Sequence, residues 1–185
     1  MSQAWMDVLE GAYNRTEDHR AFLADFVEQA PEQLNVERCS IFLHDPQMQR
    51  VSLIAGTGLE QDGLDIPVSR SIVGEVVVTG QVRILEQAGE RDGVHRDVDD
   101  MTGFQTHNIL CVPIKASGRG VAGVVQLLNK QGDTGFDARD QQMTEDLAER
   151  VQPAVQALFM DQADDEEQES RGFRFSIKGL FSKRR

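Results

Sequence analysis

The sequence has few of the residues on which several kinds of protein depend. It contains only two cysteines, Cys39 and Cys111, which lie far apart in apolar runs. This pattern is typical of buried thiols and argues against a disulfide framework or a zinc site. No stretch approaches the roughly 20 apolar residues that span a bilayer. The N-terminus also lacks the basic and apolar segments of a secretory signal, so we expect a cytoplasmic protein.

Basic residues are scarce as well. The chain has 19 lysines and arginines against 31 aspartates and glutamates, which gives a formal net charge of −12 at pH 7. This balance argues against nucleic-acid binding, because neutralising phosphates requires a basic face. The charge is uneven: residues 161–170 carry acids and no base, whereas residues 171–185 carry six bases and no acid. We interpret these segments as an acidic linker and a basic amphipathic tail.

The 185 residues suffice for one ordinary domain with appendages. Apolar residues at helical spacing predict an N-terminal helical segment over 1–35 and a long helix over about 137–160, which Pro153 should kink or break. A short helix over 71–79 should begin at a Ser71 cap and end at Gly80. Strands are predicted over 39–43, 51–55, 82–85, 109–115 and 121–128, with a long polar loop over 86–107. This order predicts an α+β fold: an antiparallel sheet with helices packed on one face and a ligand loop on the other.

Three sequence blocks and a spaced signature resemble one known family. The blocks are CSIFLHD at 39–45, VDDMTGFQTHNILCVPIK at 98–115 and GVVQLLNK at 123–130. The signature residues are Asn129, Lys130, Phe136 and Asp140. They match four positions of the Asn-Lys-Phe-Asp-Glu signature of GAF domains in order and spacing, and Gln141 stands at the fifth. The sequence is most similar to the cyclic-nucleotide-binding regulatory GAF domains of phosphodiesterases and adenylyl cyclases, and the domain is assigned to 36–160.

The signature residues also make physical sense without the family. Lys130 ends a predicted strand and Asp140 opens the last helix, so an ion pair between them would pin the loop that joins the two elements. Phe136 would fill that loop with an apolar plug. We therefore predict a structural role for Asn129, Lys130, Phe136 and Asp140.

The resemblance implies a small-ligand site, with cAMP or cGMP as the ligand and no required cofactor or metal. Position by position, the implied ligand-binding residues are Ser40, Ile54, Ala55, Ile72, Val73, His95, Asp99, Thr102, Thr106 and Gln126. Backbone N–H groups at the start of a helix suit a phosphate, and hydroxyl and apolar side chains suit the rest of such a ligand. Gln126 replaces a glutamate of the family, and Ala55 stands where an acid is common, so the nucleotide is left open.

The sequence shows no pairing of a nucleophile with a base and no phosphate loop, which indicates a protein that is not an enzyme. We expect a homodimeric sensor whose N-terminal and C-terminal helices form the dimer seam. The alternative is a ligand-free scaffold for dimerisation and docking. In that case residues 171–185, which alternate bases with large apolar residues, would bind a protein partner or an anionic membrane.

Overall fold

The computed structural model describes residues 3–58, 64–86, 104–118, 120–132 and 134–181, with side chains from residue 4 to residue 162 inside those ranges. The helices are α1 (Gln3–Tyr13), α2 (His19–Leu34), α3 (Ile72–Thr79) and α4 (Ala138–Phe181), with a 3-10 turn at Val68–Arg70. The strands are β1 (Val36–Asp45), β2 (Arg50–Gly56), β3 (Asp65–Pro67), β4 (Arg83–Leu85), β5 (Ile109–Lys115) and β6 (Val121–Lys130).

The strands form one antiparallel sheet in the order β3-β2-β1-β6-β5-β4. Both predicted hairpins, β1-β2 and β5-β6, are confirmed. The first hairpin turns at Asp45, whose Oδ1 accepts the N–H groups of Gln47 and Met48 at 2.9 and 2.8 Å. The sequence did not predict the short strand β3, which pairs Ile66 with Val51 at one edge of the sheet.

Alternation along each strand gives the sheet two apolar faces. One face, the helix face, includes Ile41, Val112 and Leu127 and packs against α1, α2 and α4 in a single cluster. The other face, the α3 face, includes Phe42 and Val124 and packs against α3. The predicted α+β arrangement is therefore confirmed, with the short helix α3 added on the side of the predicted ligand loop.

The N-terminal segment forms two helices separated by a short connection. Asp18 caps α2, since its Oδ1 accepts the N–H of Ala21 at 3.0 Å. The helix ends at Asn35, which adopts the left-handed conformation with φ of 56° and donates its N–H to the carbonyl of Pro31. Asparagine tolerates this conformation better than most residues, which makes it a suitable helix stop.

The last helix is longer than predicted. Its backbone stays helical from Ala138 to Phe181, so the predicted end near residue 160 was wrong, and the acidic segment 161–170 is helical. Pro153 does not end the helix. Val151, Ala154 and Val155 on either side of it are fully buried, and this packing holds both halves in place. Within the described part of the chain, no helix has both the length and the apolar character to cross a membrane.

Candidate functional site

A row of polar side chains crosses the α3 face. The strand register places Ser40 of β1 opposite Gln126 of β6, and Gln126 opposite Cys111 of β5. Ser40 and Gln126 are only 3% exposed, and Gln126 Nε2 lies 3.6 Å from Cys111 Sγ. Two of the predicted ligand residues, Ser40 and Gln126, thus lie side by side in a face that is otherwise rich in aliphatic residues.

Arg38 lies on the same face and was missed by the sequence analysis. Its guanidinium carbon is 3.9 Å from the centre of the Phe104 ring, a cation–π contact that joins β1 to the segment before β5. Arg38 precedes Ser40 by two residues, so strand alternation alone places both side chains on one face. The two-residue separation of Arg38 from Ser40 was therefore the signal in the sequence that places a basic group on the α3 face.

Asn129 organises the segment that carries Thr106. Its Oδ1 accepts the N–H of His107 at 2.7 Å, and its Nδ2 donates to the carbonyl of Gln105 at 2.7 Å. The same Nδ2 donates to Glu37 Oε2 on β1 at 2.9 Å. Because these bonds fix the backbone on both sides of Thr106, which is 5% exposed, they set the position of that predicted ligand residue.

The start of α3 lies over this face. Ile72 and Val73 are buried, and their side chains belong to the same cluster as Phe42. Ser71 caps the helix as predicted, since its hydroxyl accepts the N–H of Gly74 at 2.9 Å. The predicted Ile72 and Val73 positions therefore lie on the same face as the polar row.

Ile54 and Ala55 are not brought into this group. Ala55 pairs with Ile41, and both Ile54 and Ala55 belong to the core of the helix face. The cause is a bulge: the register between β1 and β2 shifts between Ile41 and Phe42, which changes the alternation of β2. Ile54 and Ala55 therefore lie on the opposite face of the sheet from Ser40 and Gln126. The remaining predicted contacts, His95, Asp99 and Thr102, lie outside the described residues.

The predicted ion pair of the signature is present. Lys130 Nζ lies 2.6 Å from Asp140 Oδ1 and also donates to the carbonyl of Leu34 at 2.9 Å. Phe136, which lies between Lys130 and Asp140 in the sequence, is buried. Asp137 caps α4, and the hydrogen bond from the N–H of Asp140 is the main reason why the pKa of Asp137 is lowered. These contacts join β6 to the start of α4.

The two cysteines point to opposite faces of the sheet, Cys39 into the helix face and Cys111 into the α3 face. Both are fully buried, and burial strongly raises the pKa of Cys39 because a thiolate is poorly solvated there. A thiol is nucleophilic only as thiolate, so Cys39 is unreactive at neutral pH. No group of three or more metal-binding side chains occurs among the described residues.

Residues 18–155 match the family model described as GAF domain. The chain therefore belongs to the GAF-domain family, a family of regulatory and sensor modules. It is 30% identical over 160 residues to a probable 3',5'-cyclic phosphodiesterase, pde-5, of Caenorhabditis elegans. That match covers 80% of this chain and only 22% of the relative, so the chain corresponds to a small part of the curated protein that it matches.

Solved structures share the fold. The GAF domain of a phosphoenolpyruvate-protein phosphotransferase from Acinetobacter is 25% identical with a TM-score of 0.65, and the match covers 84% of this chain and 94% of that one. A free methionine-R-sulfoxide reductase from Neisseria meningitidis, in complex with its substrate, is 18% identical with a TM-score of 0.65. That alignment covers 84% of this chain and 87% of the reductase. The similarity to the reductase concerns the fold alone.

Proposed function

We propose that the chain is a non-catalytic sensor that binds a cyclic nucleotide against the α3 face and passes the signal to α4. The observation that carries this proposal is the pairing of Ser40 with Gln126, two polar side chains buried side by side in an aliphatic face. A small number of polar groups in an otherwise apolar site is the usual arrangement for orienting a ligand. The likeness to a probable cyclic phosphodiesterase supports the same ligand class.

Within that class, the amide of Gln126 favours cAMP over cGMP. An amide offers both a carbonyl acceptor and an N–H donor, which complement the N6 amino group and a ring nitrogen of adenine. A carboxylate at this position would offer acceptors only and would suit the N–H groups of guanine. Arg38 adds a positive charge on the same face for an anionic ligand, and its stacking on Phe104 holds it there.

Calorimetric titration of the full chain with cAMP and cGMP tests this proposal. We expect saturable binding of cAMP and weaker binding of cGMP. The Gln126→Glu variant should instead bind cGMP more tightly than cAMP. Replacing the amide in Gln126→Leu should weaken cAMP binding by about tenfold or more, since one or two hydrogen bonds are lost. Gln142→Leu, on the exposed surface of α4, is the matched control and should bind as the wild type does.

Thermal unfolding with each nucleotide gives an independent readout. A ligand at 100 times its dissociation constant should stabilise the fold by about 2.7 kcal/mol. If neither nucleotide binds nor stabilises the chain, the proposed ligand class is wrong. If cAMP binds equally well to Gln126→Leu, the ligand does not lie on the α3 face.

The proposal that the chain is not an enzyme of the sulfoxide-reductase kind rests on the chemistry of its two thiols. The chain has only two cysteines, and both are buried on opposite faces of one sheet, so they cannot meet in a disulfide-forming pair. We therefore expect no reduction of free methionine sulfoxide by the purified chain. Turnover that is lost in Cys111→Ala would contradict this expectation.

The length of α4 favours a second candidate, a scaffold without a ligand. The helix continues to Phe181, well past Val155, which is the last fully buried residue among those whose side chains the structure describes. A helix of this length suits dimerisation and docking of a protein partner or an anionic membrane. This candidate predicts no change in unfolding temperature with any nucleotide, so the same titrations separate the two.

A further inference from the structure

A groove of about 770 Å³ runs between α4 on one side and β5, with the connection from α3 to β4, on the other. One wall of the groove is a stripe of α4 side chains: Gln141, Glu145, Glu149 and Gln152. These positions are three or four residues apart and therefore lie on one side of the helix. The floor includes Val112, a residue of the helix face, so the groove lies on the side of the sheet opposite the polar row.

The groove is acidic and accessible. Glu149 is exposed and Glu145 is half-buried. Lys115, at the end of β5, is the only base among the described residues that line it. Apolar contacts come from Val82 and Pro113. Such a groove, with an apolar floor and an acidic wall, suits a helix that carries both apolar and basic residues.

A segment of this chain has that chemistry. Residues 171–185 contain six bases and no acid, interspersed with large apolar residues, and the backbone is helical as far as Phe181. Arg174 and Lys178 are four residues apart in the sequence, the same separation as Glu145 and Glu149. Two antiparallel helices can therefore set both bases against both acids at one time.

We propose that the groove binds the basic tail of a second copy of this chain. The tail cannot reach its own groove, because the 18 residues of unbroken helix between Gln152 and Arg171 place it about 30 Å further along the axis. In a two-fold antiparallel dimer, each tail lies in the groove of the other copy, so both contacts form together. This inference is independent of whether a nucleotide binds the α3 face.

Sedimentation velocity of the full chain tests the proposal by charge reversal. The wild type should form a dimer that weakens as salt rises, since the contacts between charges are screened. Reversing the groove in Glu145→Lys with Glu149→Lys should weaken the dimer by about tenfold or more. Reversing the tail in Arg174→Glu with Lys178→Glu should do the same. Combining all four changes should restore most of the wild-type affinity, because the attraction is re-formed with opposite signs.

Asp146→Lys is the matched control. It changes an exposed acid of α4 that does not line the groove, and it should leave the dimer unchanged. Thermal unfolding of each variant shows whether the fold is intact. A monomeric wild type would overturn the proposal, and so would a dimer that survives both reversals. A dimer lost in the two reversals and not regained in the combined variant would show that the groove and tail do not meet.

Discussion

Replacing Lys130 by methionine should strongly destabilise the fold. The side chain of Lys130 is 15% exposed and that of Asp140 is 11% exposed, so the pair is largely removed from water. In Lys130→Met, Asp140 keeps one partner, the N–H of Asp137 at 3.1 Å, and the carbonyl of Leu34 loses the lysine donor. Leaving a buried charge without its counter-ion costs about 3–5 kcal/mol, which exceeds what the methionine side chain contributes by its own burial.

Urea unfolding followed by circular dichroism measures this cost. Lys130→Met combined with Asp140→Leu should recover part of the loss, because the unpaired charge is then gone. Lys115→Met, at an exposed lysine on β5, should change the free energy of unfolding by less than about 0.5 kcal/mol. A loss below about 1 kcal/mol in Lys130→Met would refute the reasoning, since that is the range of a solvent-exposed pair.

Three further changes have defined outcomes. Gly74→Ala should destabilise by about 1–3 kcal/mol in urea unfolding, because the added methyl would collide with the backbone of Val68. Asn129→Ala should cost about 1–3 kcal/mol and speed amide hydrogen exchange in residues 104–108, since the bonds that fix this segment are lost. The pKa of Asp137 is lowered below its ordinary value of 3.8, so its stabilising effect is present above that pH and is lost as pH falls through the lowered pKa. The stability difference between the wild type and Asp137→Asn should therefore shrink in acid titrations.

Each of these outcomes has a control or a contrary result. Gly11→Ala should be neutral or stabilising, because its methyl would meet only the flexible end of Arg15 at 3.7 Å. Equal effects of the Gly11 and Gly74 changes would contradict the argument from close contact. Unchanged exchange in Asn129→Ala would mean that other contacts hold the segment. If the stability difference between the wild type and Asp137→Asn grows as pH falls, the pKa of Asp137 is not lowered by folding and the prediction is wrong.

The sequence predicts the two hairpins, β1-β2 and β5-β6, well because local patterns determine them. Alternation and β-branched residues mark β5 and β6, and the turn residues between them define the hairpin. The signature pair also follows from the sequence, since Lys130 ends a strand and Asp140 lies at the start of a helix. Both features depend on residues that are close in the chain.

Features that depend on tertiary contacts could not be predicted. The bulge that turns Ile54 and Ala55 toward the helix face arises from the pairing of β1 with β2, which alternation in one strand does not reveal. The three-residue strand β3 is too short to give a pattern of its own. Pro153 is tolerated in α4 because the sheet beneath buries its neighbours, and that contact joins residues distant in sequence.

The strand β6 links the two faces on which the proposed functions lie. Gln126 points into the α3 face, whereas its neighbours Val125 and Leu127 belong to the helix-face cluster that also contains Leu147 and Val151 of α4. A ligand that displaces the backbone at Gln126 would therefore displace two residues of the cluster against which α4 packs. Because protein interiors are close-packed, α4 must follow a shift of this kind rather than absorb it in empty space. A small movement at the buried part of α4 is then carried along the unbroken helix toward Phe181, which lies in the segment proposed to join two copies.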